Sequence, residues 1–386
     1  MPEETHLRLA RESASQAWEK YLTAQRQFQG IPGLERTPDG RLWATWYTGG
    51  VGEGPENFAV LVTSDDDGLS WTEPLAVVDP PGNTRAFDPC LWRDPKGRFW
   101  WLWSESYSPK VGEIFDGRGG VWGAYATDLG PATLRFTAPV RLANGVMMNK
   151  PTVLANGDWL LPTAVWQQWP IKLEELAVER FSNATVSTDG GTSFTRRGGA
   201  DVPERGFDEH MFVELHDGRV WCLVRTCYGI GQSFSVDAGR TWTPGEDSSL
   251  GGPNSRFFIR RLRSGNLLLV NHIDINAATA RQVSGGGQHW RKRSHLAALL
   301  SPDDGRTWKG PLMLDERGDV SYPDGVQAED GTIWIIYDYN RYGAGDIVLA
   351  SFREDDILAG ACQSKGAFLR RLVSHTGGLR GKPTNP

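Results

Sequence analysis

A chain of 386 residues with 46 Gly, 23 Pro and 17 Trp exceeds the usual size of one core, unless it is a large barrel or a repeat architecture. Its formal net charge of −6 and the absence of any Lys/Arg block exclude the electrostatic footprint of a nucleic-acid binder. No apolar run reaches the ~18 residues of a membrane-spanning helix, and four cysteines in so long a chain read as structural thiols, not a disulfide framework.

Residues 3–27 carry charges throughout and space Leu7, Leu9, Ala14, Ala17, Trp18, Tyr21 and Leu22 near helical periodicity, which predicts one amphipathic helix on the outside of the body. The first 27 residues also lack the apolar stretch of a secretory leader, so a cytoplasmic protein is expected. We divide the chain into an N-terminal helical extension at 1–27, a repeat body at 28–375 and a C-terminal tail at 376–386.

From residue 28 two motifs alternate. The first is a glycine turn followed by an aromatic or aliphatic strand, with glycines at Gly40, Gly97, Gly157, Gly218, Gly265 and Gly331. The second is an S-x-D-x-G-x-[ST]-aromatic octad at Ser64–Trp71, Ser187–Phe194, Ser235–Trp242 and Ser301–Trp308. Remnants at residues 126–130 and 350–355 fill the two missing octad places. Units of this length cannot bury both faces of a short sheet alone, whereas radial stacking about an axis can. The pattern predicts an all-β, six-bladed β-propeller, with each octad on the turn between the third and fourth strands of a blade. The octad itself reads as a turn brace: Asp and Ser bond local backbone N–H groups and the aromatic packs between strands. It lacks the terminal bidentate Glu of a calcium loop.

The first strand of each blade then lines the channel. Counting eight residues back from the turn glycines reaches Pro32, Pro89, Asn149, His210, Phe257 and Pro323, preceded by Ile31, Asp88, Met148, Glu209, Arg256 and Tyr322. Gln29, Lys150, Asp208 and Asp324 flank them. A packed core would place apolar groups at these sites; an acid–base–cation set on one axis suggests chemistry. Elsewhere, His272 is a second candidate base beside His210, and Trp166 and Trp169 are candidates for stacking on a sugar ring. The polar stretch 115–119 is expected to cover the channel mouth. No His/Cys/Asp cluster has metal-ligand spacing and no Gly-rich loop opens a helix, so neither metal nor nucleotide cofactor is expected.

The octads together with these inner strands resemble the sialidase superfamily, whose repeats are the Asp boxes, over residues 28–375. The resemblance implies a six-bladed propeller acting on a carbohydrate, with a Tyr nucleophile, a Glu that activates it, a carboxylic acid/base and three arginines on the substrate carboxylate. It implies Tyr322 as nucleophile, Glu209 as its activator and Arg225 as the second arginine, with Arg293 or Arg256 as the third. Two places depart from the family. Where Arg-Ile-Pro opens the first inner strand, this chain reads Gln29-Gly-Ile-Pro32, which removes a bidentate carboxylate clamp. Where the family's acid/base Asp follows the first hairpin, Glu53 or Glu56 must stand in, with Asp88 a third candidate. Asn149, Lys150, His210, His272, Trp166, Asp324 and Gln29 complete the expected substrate-binding set.

A phenol with a pKa near ~10 is poorly ionised at neutral pH, and a carboxylate that accepts its proton makes it competent. A neutral nucleophile also avoids repelling an anionic sugar. The expected function is an exo-acting glycoside hydrolase on an anionic or deoxy sugar. Two alternatives stand beside it: a lyase on uronic-acid glycans, using Tyr322, His210 or His272, and Arg256; and a non-catalytic glycan-binding propeller.

Overall fold

The computed structural model describes residues 6–13, 15–112, 118–166, 173–276, 278–279 and 293–377. Six antiparallel sheets follow one another along the chain, each running in sequence order from the inside outward, except that the first carries the N-terminal strand Leu7–Leu9 on its outer edge. The innermost strands are Gln29–Arg36, Thr84–Arg93, Thr152–Val153, Met211–Glu214, Phe258–Arg261 and Val320–Gln327. The six predicted glycine turns join the first strand of each blade to the second, and all six glycines have positive φ, between 81° and 93°. The all-β propeller is therefore as the repeat pattern predicts.

The second strands of the blades are buried on both faces over nearly their whole length, which explains apolar runs such as Phe99–Trp103 and Leu267–Val270. Leu42–Thr48 and Phe58–Ser64 in the first blade are buried at every position. Aromatic side chains fill the wedges between blades. Trp43 meets Phe99 at 5.4 Å between the first and second blades, and Trp92 meets Trp159 edge-on at 4.9 Å between the second and third.

The octads occupy the turns between third and fourth strands, and their bonding is nearly identical in the four copies. In the last, Ser301 Oγ donates to Asp303 Oδ1 (2.9 Å), Gly305 N donates to Ser301 Oγ (2.7 Å), and Thr307 donates through N and Oγ1 to the two Asp303 oxygens (2.8 and 2.6 Å). The corresponding bonds recur around Asp66, Asp189 and Asp237. These bonds to the ionised form hold all four carboxyls below their ordinary range, Asp66 and Asp237 at about 2. In the sixth blade the octad place is taken by the short helix Glu354–Ala359.

The N-terminal helix is present but short, Ser15–Trp18, and is followed by 3-10 turns at Glu19–Tyr21 and Thr23–Gln25. The start of the segment predicted as helix is instead strand Leu7–Leu9, paired antiparallel with Ala76–Val78 as a fifth strand of the first blade. The open edge of that blade won over helical periodicity, since an unpaired edge offers a ladder of backbone hydrogen bonds. Residues 378–386 of the predicted tail lie outside the described residues.

Among the described residues no strand is exchanged at the seam where the sixth blade meets the first. The ring is closed by side chains: Ile31 N donates to Asp338 Oδ2 (2.9 Å), Leu34 N to Asp324 Oδ2 (2.8 Å), and Gln29 Nε2 to Gly345 O (2.7 Å). A shared apolar cluster including Trp46, Val60, Ile336 and Leu349 backs these bonds.

Three of the inner strands carry the same irregularity. At Ile31-Pro32, Asp88-Pro89 and Tyr322-Pro323 one extra residue is inserted against the second strand, and the residue before each proline has φ of 56°, 50° and 56°. A left-handed non-glycine residue costs about 1–3 kcal/mol and a bulge re-aims its side chain, so three register-equivalent copies are a built feature.

Candidate active site

The bulges turn Asp88 and Tyr322 into one mouth of the channel, where they join Glu209. Tyr322 Oη donates to Glu209 Oε1 at 3.2 Å. Arg225 Nη1 donates to both, at 2.5 Å to Glu209 Oε1 and 3.0 Å to Tyr322 Oη, while its Nε is held by Asn254 Oδ1 at 2.6 Å. Phe207 lies flat against this guanidinium, 4.7 Å from ring centroid to Cζ. Glu209 Oε2 is buried without a hydrogen-bond partner among the described residues, leaving one carboxylate oxygen uncommitted.

Two further guanidiniums sit over the Tyr322 ring, Arg341 at 4.4 Å and Arg293 at 5.1 Å from its centroid. Arg341 Nη1 donates to Glu53 Oε1 (3.2 Å), which also accepts from Tyr47 Oη (2.8 Å). Burial pushes the Glu53 carboxyl up, but the Arg85 and Arg341 charges and the Tyr47 hydroxyl outweigh it and hold Glu53 below the ordinary range. Asp88 goes the other way: burial, reinforced by the Glu209 charge and opposed by Arg85, pushes it up to about 8. The two carboxyls are thus pushed in opposite directions, Glu53 down and Asp88 up, the kind of separation that acid–base work uses.

Arg85 is a fourth cation of the mouth, 1% exposed, stacked 4.3 Å over Phe87 and 5.1 Å over Tyr47. Its Nε and Nη1 have no hydrogen-bond partner among the described residues. Sequence reasoning missed Arg85, Arg341, Tyr47 and Asn254. Arg85 had a usable signal, since it precedes Asp88 by three residues on the same inner strand; Arg341 had none, because it reaches the mouth from a loop after a second strand.

Other predicted residues lie elsewhere. Arg256, Asn149, Lys150 and Asp324 form a plug across the axis, beneath the mouth. Arg256 is fully buried and donates to Asn149 Oδ1 (2.6 Å), Met148 O (3.2 Å) and Asp324 Oδ1 (3.4 Å). Lys150 Nζ donates to Leu34 O (2.5 Å) and Leu91 O (2.6 Å) and pairs with Asp324 at 3.3 Å. With Asn149 Nδ2 donating to His210 O (2.8 Å), these groups spend their hydrogen-bonding capacity on the first, second, third, fourth and sixth blades. Gln29 is likewise saturated, by Gly345 O, Ser374 Oγ and Trp46 Nε1, in the seam.

Both histidines face backbone. His210 directs its two ring nitrogens at Asp208 O and Asn183 O, of which the neutral ring donates to one, and His272 Nε2 donates to Val320 O; burial pushes each down to about 4. In the set expected for uronate elimination, the histidines are thus engaged with backbone and Arg256 with Asn149, Met148 and Asp324. Glu56 is exposed. Trp166 is buried edge-on against Phe207 at 5.2 Å, so its ring is wall and not platform. Trp169 and residues 115–117 of the expected covering stretch lie outside the described residues. Among the described residues no group of three or more His, Cys, Asp or Glu could hold a metal ion, and no helix is long and apolar enough to cross a membrane.

Six blades with Asp-box turns on their outer edges and a Tyr–Glu–Arg cluster at the axis define a sialidase-like β-propeller. The chain belongs to the BNR repeat-like domain family, which its residues 40–335 match. No curated protein matches it in sequence. Among solved structures it is similar to a protein of unknown function from Dyadobacter fermentans, at 18% identity and TM-score 0.63, over 86% of this chain and 95% of that one. It is similar to the intramolecular trans-sialidase of Ruminococcus gnavus, in complex with oseltamivir carboxylate, at 13% identity and TM-score 0.62, over 88% and 97%. The leech intramolecular trans-sialidase complexed with 2,7-anhydro-Neu5Ac gives 13% identity and TM-score 0.65, over 89% and 70%. At these identities the likeness establishes the fold.

Proposed function

We propose that this chain is an exo-acting glycoside hydrolase that removes an anionic sugar from the end of a glycan. The observation that carries the reading is the Tyr322–Glu209–Arg225 triangle. Glu209 Oε1 stands where it takes the phenolic proton as Tyr322 attacks the anomeric carbon. Arg225, donating to the same phenolic oxygen, stabilises the negative charge that develops there. Water then breaks the sugar–enzyme bond, giving its proton to the Glu53 carboxylate left after the first step, while Glu209 returns the phenolic proton to Tyr322.

Glu53 is assigned the proton to the leaving group. In the free protein Arg341 and Arg85 keep it ionised; an anionic sugar that engages Arg341 offsets that field and lets Glu53 take up a proton when the substrate is in place. Asp88, protonated at neutral pH, donates a hydrogen bond to the sugar. The structural neighbours named as sialidases and trans-sialidases support an acidic sugar as the substrate class, with carbohydrate as the partner. A panel of glycans and aryl glycosides of sugar acids, read for released sugar, tests the reading. Turnover that persists in Tyr322→Phe, or release of an unsaturated uronate, would sink it. Affinity for glycans without turnover would leave the binding-module alternative.

A further inference from the structure

The guanidinium of Arg341 reaches the mouth by an unusual path. Its backbone follows Ile333–Tyr339, the second strand of the sixth blade, yet its side chain crosses the seam and lies on the first inner strand at Gly30. A Cβ at Gly30 would stand 2.4 Å from Arg341 Cδ, 2.7 Å from Cγ and 2.8 Å from Nε, closer than real side chains approach. Gly30 is therefore open because the Arg341 stem fills the space of its missing side chain. The φ of Gly30 is not of the left-handed kind, so the glycine is required by packing and not by conformation.

The donors of Arg341 are sorted by direction. Nε faces Asp338 Oδ2 at 3.3 Å, and Asp338 is in turn fixed by Ser321 Oγ and Ile31 N. That side of the guanidinium is an anchor. The other side faces the mouth: Nη1 holds Glu53 at 3.2 Å, and among the described residues Nη2 has only a long bond to Ser321 Oγ at 3.5 Å. Arg293 flanks the same phenol ring and has a buried Nε with no partner among the described residues. Beyond the carboxylates of Glu53 and Asp338 that Arg341 already meets, the two guanidiniums over this ring keep a weakly engaged Nη2 and an unpartnered Nε among the described residues, donors of the kind an anion site offers.

We propose that Arg341, delivered across the seam between the sixth and first blades, binds the carboxylate of the substrate together with Arg225 and Arg293, and that Gly30 exists to admit it. This rests on the reading of the mouth as a site for an anionic sugar. It also means that the arginine absent from the first inner strand is replaced by one from the opposite side of the seam, with the guanidinium arriving in the space above residue 30.

The test uses the full chain and a matched pair of probes, oseltamivir carboxylate and its ethyl ester, with affinity measured by calorimetry. Wild type is expected to prefer the carboxylate. Arg341→Ala is expected to weaken the carboxylate roughly tenfold to a hundredfold and leave the ester within about twofold, as for loss of a charge-assisted bidentate contact. Gly30→Ala, which keeps Arg341 but pushes its stem aside, is expected to give the same selective loss. The relocated pair Gly30→Arg with Arg341→Gly is expected to recover most of the carboxylate affinity. Equal loss for both probes, or no loss in Arg341→Ala, overturns the proposal while leaving the hydrolase reading in place. A selective loss without glycan turnover by wild type keeps the clamp and removes the hydrolase reading. Failure of wild type to prefer the carboxylate overturns both.

Discussion

Glu209 Oε1 accepts from the Tyr322 hydroxyl at 3.2 Å while its partner oxygen Oε2 accepts nothing among the described residues. The carboxylate is thus held at one corner and free at the other, which suits a group that must receive a proton. Tyr322→Phe and Glu209→Gln are expected to lower kcat by at least about a hundredfold, the scale of a lost nucleophile or general base, with KM within a few-fold. Steady-state kinetics on an aryl glycoside of a sugar acid checks this, with circular dichroism to show that both variants fold. Full turnover in either variant would remove the pair from the mechanism.

Glu53 is expected to behave differently according to the leaving group. Glu53→Gln should slow release of a poor leaving group, such as a sugar alcohol, by roughly a hundredfold. It should spare an activated nitrophenol, which departs without a proton. Equal slowing of both substrates would point to a binding role.

Asp88 makes a pH prediction with a definite sign. Its folded carboxyl is raised by burial to about 8, above the unfolded value near ~3.9, so the folded protein binds the extra proton between these limits. Stability from this group is therefore fully present below about pH 4 and declines as pH rises through 8, by at most about 1.4 kcal/mol per pH unit. Asp208, raised by burial to about 7, adds in the same direction. Melting temperature should fall from pH 5 to pH 8.5 at constant ionic strength, and Asp88→Asn should flatten that fall. An unchanged slope would mean that Asp88 is ionised in the folded protein.

The axial plug should prove structural. Asp324 is 1% exposed, accepts from Leu34 N and faces both Lys150 and Arg256. Asp324→Asn leaves two buried cations poorly compensated and should cost about 3–5 kcal/mol in urea unfolding, while kcat per folded molecule stays near wild type. A stable but inactive variant would return the plug to the list of substrate contacts.

An octad can be tested at its glycine. Gly305 has φ of 84°, and a Cβ there would stand 2.6 Å from the Trp221 ring of the neighbouring blade. Gly305→Ala is expected to destabilise by roughly 1–3 kcal/mol through strain and displaced packing, without altering KM. Retained stability would mean that the Trp221 wedge yields easily.

The fold was legible because its marks are local. An octad or a glycine turn needs only neighbours in sequence, and their alternation set the register that brought Asp88, Glu209 and Tyr322 to one axis. The site was legible only along the inner strands. Arg341 and Tyr47 enter the mouth from second strands or the loops after them, and no spacing rule for first strands reaches those positions. The same limit explains Arg256, Asn149, Lys150 and Asp324. They have the right register and chemistry, but their depth along the axis decides between substrate and plug, and depth is set by how six blades converge. Residues 7–9 show the remaining gap, since apolar spacing could not foresee a free sheet edge waiting for a strand.

The repeated X-Pro bulge has a consequence for how such a mouth can change. Ile31, Asp88 and Tyr322 sit on the same backbone kink in three blades, two of them bearing reactive groups and the third a buried aliphatic chain. The proline and the extra residue supply the aim; the side chain before the proline supplies the chemistry. The floor of the channel therefore works as a set of equivalent sockets, one of which is idle. A single replacement at residue 31 would add a third functional group to the mouth while leaving the ring itself unaltered.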